Sequence, residues 1–74
     1  MNLQLTIKDQ LMGTNWKLKE ALEKRYMEQR DLARAMGVSE SWVSEFVTGK
    51  RGASDGQKRE IAEILRVSRK KLFG

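Results

Sequence analysis

The chain has 74 residues, a net charge of +5, and neither Cys nor His. That length argues for one small domain close to the lower limit of unaided folding. Without Cys and His there is no disulfide, no thiolate, and none of the usual general base, zinc ligand or pH switch. No apolar run is long enough to cross a bilayer, and the first residues lack the basic-then-apolar order of a signal peptide. A cytoplasmic protein with no membrane partner is the expectation.

The charge is unevenly placed. Residues 1–48 carry seven basic and seven acidic side chains, whereas residues 49–74 carry eight basic ones against three acidic. The excess in the last third is Lys50, Arg51, Lys58, Arg59, Arg66, Arg69, Lys70 and Lys71. Such a surface suits a polyanion, although charge alone points first to a solvated, solubilising face.

In chain order, residues 1–13 read two ways. Leu3, Leu5 and Ile7 alternate as on a strand, while Leu3, Ile7 and Leu11 keep helical spacing, with Thr6 and Asp9 of "TIKD" as a capping box. We read a loose arm followed by one or two helical turns, serving as a cover for the core or as a pairing element between two copies. Residues 14–74 read as one all-α domain of about five short helices.

The first of these is predicted over about 15–26, capped by Thr14, with Leu18, Ala21, Leu22 and Arg25 marking one face that Tyr26 and Met27 extend. A second runs from Gln29 to Met36 with Leu32, Ala33 and Met36 inward. A third runs from Glu40 to Val47 or Thr48 with Val43, Phe46 and Val47 inward. After the loop "GKRGA", Ser54 and Gln57 form a capping box for a helix that carries Ile61, Ile64 and Leu65. Ser68 then caps a short last helix that returns Leu72 and Phe73 to the core. Trp16 and Trp42 are read as packing residues.

The segment "QRDLARAMGVSESWVSEFVTGKR" joins two of these helices through a tight turn. Gly37 suits a left-handed helix end, Val38 drops into the core, and Ser39 caps the next helix. Ala33 is small where the third helix passes close over the second. These features describe a helix-turn-helix.

The sequence resembles the phage-repressor-like helix-turn-helix domains of the Cro/cI (XRE) type. The resemblance rests on Leu32-Ala33, Met36-Gly37-Val38, Val43 and Phe46. It extends to the flanks "KLKEALEKRYMEQRDLA", "TGKRGAS" and "REIAEILRVSRKKLF", about residues 15–73. Five positions depart from the pattern. Glu28 replaces a capping Ser or Thr, so that cap must be made differently. Tyr26 and Arg66 replace common glycines, so Arg66 is expected at positive φ. Glu40 and Glu45 add carboxylates to the third helix.

The resemblance implies a sequence-specific regulator of transcription whose third helix enters the major groove of double-stranded DNA. It carries Gln29, Glu40, Ser41, Ser44, Glu45 and Thr48 over as DNA-contacting residues. Ser39, which caps that helix, stands with them at its start, and Lys50 and Arg51 in the following loop suit phosphates. Glu40 either accepts from cytosine N4 or only complements the helix dipole, worth roughly 0.3–1 kcal/mol. Glu45 has the wrong charge for phosphates or bases unless it meets cytosine or pairs with a basic side chain, and is read first as structural or as selecting against wrong sites. One recognition helix makes too little contact for tight specific binding, so a homodimeric repressor on a palindrome is expected. An interaction module of antitoxin or adaptor kind on the same fold is the alternative. No enzymatic chemistry, cofactor, metal or small-molecule substrate is expected.

Overall fold

Each helix of the protein begins where a polar side chain or carboxylate can take up the helix's unpartnered N–H groups. The computed structural model describes residues 13–74, so the expected arm and its Thr6 cap lie outside the described residues. Among these the architecture is all-α: α1 Trp16–Lys24, α2 Gln29–Met36, α3 Glu40–Val47, α4 Asp55–Leu65 and α5 Arg69–Phe73. Ser39, Ser54 and Ser68 cap α3, α4 and α5, accepting from the N–H of Trp42, Gln57 and Lys71 respectively. Gln57 Oε1 accepts from Ser54 N–H at 2.9 Å and completes the predicted box. At α2 the cap is made differently: Asp31, in the first turn, turns back and its Oδ2 accepts from Glu28 N–H at 2.8 Å, the reciprocal arm of a capping box.

The first helix departs from expectation at both ends. Its cap is Asn15, not Thr14: Asn15 Oδ1 accepts from Leu18 N–H at 2.9 Å. The helix stops at Lys24, and Tyr26 does not extend the buried face, being 97% exposed at φ 55°. Met27 alone returns to the core margin.

The core collects the inward faces of all five helices. Leu18, Leu32, Val43, Val47, Ile61 and Leu65 are fully buried, with Ala21, Leu22, Ala33, Phe46, Ala62 and Leu72 around them. Each large aliphatic side chain so buried contributes about 1.5–3 kcal/mol, which is what holds helices too short to persist alone. Ala33 is buried where α2 and α3 pack together, as its size implied.

Four helices end in the same way. At Tyr26, Gly37, Gly49 and Arg66 the chain turns through a left-handed residue, with φ 55°, 74°, 85° and 55°. Behind each, two N–H groups fold back on the last turn: Met27 to Leu22, Val38 to Ala33, Lys50 to Glu45 and Val67 to Ala62, beside Tyr26 to Glu23, Gly37 to Arg34, Gly49 to Phe46 and Arg66 to Glu63. This is the Schellman arrangement. In three cases the residue after the turn is apolar, and Met27, Val38 and Val67 all pack against the core. In the fourth it is Lys50, which is exposed, so the chain leaving α3 heads into solvent.

Asn15 ties three helices together at that exit. Besides capping α1, it donates its backbone N–H to Val47 O at 2.8 Å and its Nδ2 to Leu72 O at 3.0 Å. The approach needs two glycines in contact: a Cβ on Gly49 would lie 2.3 Å from the Gly13 carbonyl oxygen.

Two outcomes follow for chemical denaturation. Gly37→Ala meets no atom within 4 Å and should cost only the left-handed strain, about 1–2 kcal/mol. Gly49→Ala should cost about 1–3 kcal/mol more, because it also overpacks the Gly13 contact; equal losses would refute that contact. Tyr26→Gly and Arg66→Gly should each stabilise the protein by about 0.5–1 kcal/mol, the relief of strain exceeding the added chain entropy. A loss of stability at either position would contradict the left-handed geometry.

Candidate nucleic-acid interface

The outer face of α3 is polar because the inner one is fully occupied. Val43, Phe46 and Val47 go to the core, which turns Glu40, Ser41, Ser44 and Thr48 outward, all exposed. Ser39 stands just before them with its hydroxyl engaged on Trp42 N–H at 3.0 Å. Thr48 closes the helix, its Oγ1 donating to Ser44 O at 2.9 Å. Two hydroxyls, Ser41 and Ser44, and the Glu40 carboxylate therefore remain on this face for an external partner.

Glu45 is half-buried and is not a lone carboxylate. Its Oε1 accepts from Arg51 Nε at 3.0 Å, so its charge is met from the loop. The Arg51 guanidinium also lies over the Trp42 ring, 5.4 Å from its centroid. Trp42 in turn packs at 5.5 Å on Phe46, and Phe46 at 5.8 Å on Phe73. Trp42 is thus partly buried against the core while its ring supports the guanidinium lying over it. Trp16 is less buried, 43% exposed with Lys19 Nζ over its ring at 5.0 Å, and is a rim residue.

Lys50 and Arg51 are fastened to the end of α3 rather than hung on a slack loop. The Lys50 N–H reaches Glu45 O at 2.7 Å. Both side chains are exposed, next to the outer face of the helix.

The start of α2 carries Gln29, half-buried, and Arg30. Arg30 is not among the residues expected from sequence, although it directly follows Gln29. Its guanidinium bonds the Glu28 carboxylate at 2.8 Å. That hydrogen bond, then Glu28's charge, and then a smaller pull from Glu40, raise the Arg30 pKa above its ordinary value. Arg30 thus puts positive charge in the first turn of α2. With Asp31 and Glu28 also present, this end is a mixed-charge patch in which the Arg30 charge is already met by Glu28. The N-terminus of α2 adds partial positive charge beside it.

Several other basic residues lie away from α2 and α3. Arg69 bonds Asp55 across the α4–α5 corner. Lys17, Lys24, Arg25 and Lys71 border a shallow groove floored by Ala21, Val67 and Leu72, and none of these belongs to α2 or α3. Among the described residues no helix is long and apolar enough to cross a membrane.

No curated protein and no solved structure matches the chain. A family model described as a helix-turn-helix domain matches residues 16–72, the stretch that runs from the first residue of α1 to Leu72 in α5. A tight left-handed corner between two short packed helices, the second capped and polar outward, is the geometry that family uses to hold DNA. The match spans most of the chain, and the protein belongs to the helix-turn-helix family.

Proposed function

We propose that the protein is a sequence-specific DNA-binding regulator of transcription, acting as a small homodimeric repressor on a palindromic operator in the cytoplasm. One observation carries the reading: α3 buries Val43, Phe46 and Val47 and leaves its polar face exposed, with a tethered basic pair at its end. In this reading α3 lies in the major groove. Ser41 and Ser44 meet base edges, and Glu40 accepts from cytosine N4. Gln29 and Arg30 at the α2 start, with Lys50 and Arg51 after α3, meet the phosphates on either side. Ser39 holds the first turn of α3 at the groove, and Thr48 lies at its far end.

Two copies are part of the proposal for an energetic reason. A single eight-residue helix offers few base contacts, each good pair being worth about 1–3 kcal/mol of discrimination. Doubling them on a symmetric site supplies specificity against a large excess of other DNA. The carboxylates on α3 are the feature that favours a protein-only partner. The pairing of Glu45 with Arg51 meets one of those two charges within the chain and weakens that support.

Affinity for duplex DNA should fall steeply with salt, because displaced counterions drive binding. In a titration across salt concentrations, replacing both Lys50 and Arg51 with Ala should weaken binding and flatten the slope by about 0.9 for each phosphate that is no longer neutralised. A slope unchanged by that double substitution would remove the loop from the interface, and binding indifferent to salt would reject the function.

A further inference from the structure

Building on the DNA-binding reading, we propose that Glu45 is a positioning residue that, with Trp42, fixes the Arg51 guanidinium so that its outer edge meets one DNA phosphate.

Glu45 holds the loop twice. Its carbonyl oxygen accepts from Lys50 N–H at 2.7 Å, and its carboxylate accepts from Arg51 Nε at 3.0 Å. The first bond fixes where the backbone leaves α3. The second, with the Trp42 ring 5.4 Å below the guanidinium, fixes the side chain of the next residue. Trp42 is itself held by Phe46 on the core, so the platform is rigid. Glu45, Trp42 and Arg51 thus form one unit that spans the helix and its exit.

Arginine has five donors in a planar fork. The bond to Glu45 occupies Nε, at one side of that plane. The terminal Nη groups point away from Cδ, which leaves them for a bidentate partner such as a phosphate. Arg51 remains 40% exposed and its partner carboxylate 47%, so the pair is reachable from solvent.

A carboxylate beside a phosphate site acts in two opposite senses. It repels the phosphate, weakly at an exposed position, where charges are screened. It also removes the rotamer freedom that a long side chain otherwise loses on binding, a comparable or larger amount. An exposed ion pair adds little to fold stability, so the selective value of this one lies in orientation. Among the described residues no such tether holds the Lys50 side chain in the same loop, and it provides charge without direction.

The two senses separate in a double-mutant cycle on duplex binding with the full chain. Glu45→Gln should weaken binding at least about threefold when Arg51 is present, and should leave it unchanged or tighten it in Arg51→Ala, where only the repulsion is left. Arg51→Lys keeps the charge but lacks the fork and should lose nearly as much affinity as Arg51→Ala. In free protein carrying Trp16→Phe, Glu45→Gln should shift the Trp42 fluorescence as the guanidinium leaves its ring. The proposal is overturned if Glu45→Gln changes affinity by the same factor in both backgrounds, or if Arg51→Lys binds as well as the natural protein. If these variants bind DNA with additive effects, only the positioning role fails. If the natural protein binds no duplex at all, the functional reading fails with it.

Discussion

Turning the chain through one left-handed residue at a helix end is the constraint on which this structure depends. It occurs at four of the corners, Tyr26, Gly37, Gly49 and Arg66. Each time, two backbone N–H groups close on the final turn of the helix and spare it exposed carbonyls. The helices are short, and none would persist alone in water. A sharp, hydrogen-bonded exit is what lets five of them bring their apolar faces to one small core. Where the next residue is Met, Val or Val, the chain is drawn back over the core. Where it is Lys50, the chain is released outward. That one difference in sequence separates the corner proposed to serve DNA from the corners that serve the fold.

The orientation of α3 follows from the same packing. Leu32 and Ala33 on α2 give α3 a seat close enough for Val43 and Val47 to be fully buried. Asn15 then fastens the far end of α3 to α1 and α5 by three hydrogen bonds. Gly13 and Gly49 touch backbone to backbone to permit this. The outer face of α3 is therefore held at both ends, at Ser39 by a cap and at Val47 by a neighbouring segment. Rigid support of this kind limits the entropy lost when a helix engages a groove.

Much of this is legible in the sequence. The limits of α2 and α3, the left-handed Gly37, the Ser39, Ser54 and Ser68 caps, and positive φ at Arg66 all follow from residue chemistry at fixed offsets. The inward set follows from helical spacing, because each short helix has only one apolar stripe. What the sequence does not disclose is chiefly tertiary. Thr14 and Asn15 are both good caps, and the choice falls to Asn15 because only it also reaches Val47 and Leu72. Tyr26 carries a large aromatic ring that reads as buried, yet the left-handed corner turns it into water. The Glu45–Arg51 pair joins residues six apart across a helix end, beyond any helical spacing rule. The assignment of base and phosphate contacts rests on the exposed face and the family, and it is a proposal about the partner.

Selection of bound duplexes from random DNA, run in parallel for the natural protein and Ser41→Ala with complex stoichiometry measured, bears most directly on the claim that the outer face of α3 reads base edges. The expected result is a two-fold symmetric consensus bound by two chains, with half-sites about one helical turn, roughly 34–36 Å, apart, and a base preference relaxed at one position per half-site in Ser41→Ala. No enriched sequence, or an identical consensus from both proteins, would contradict it.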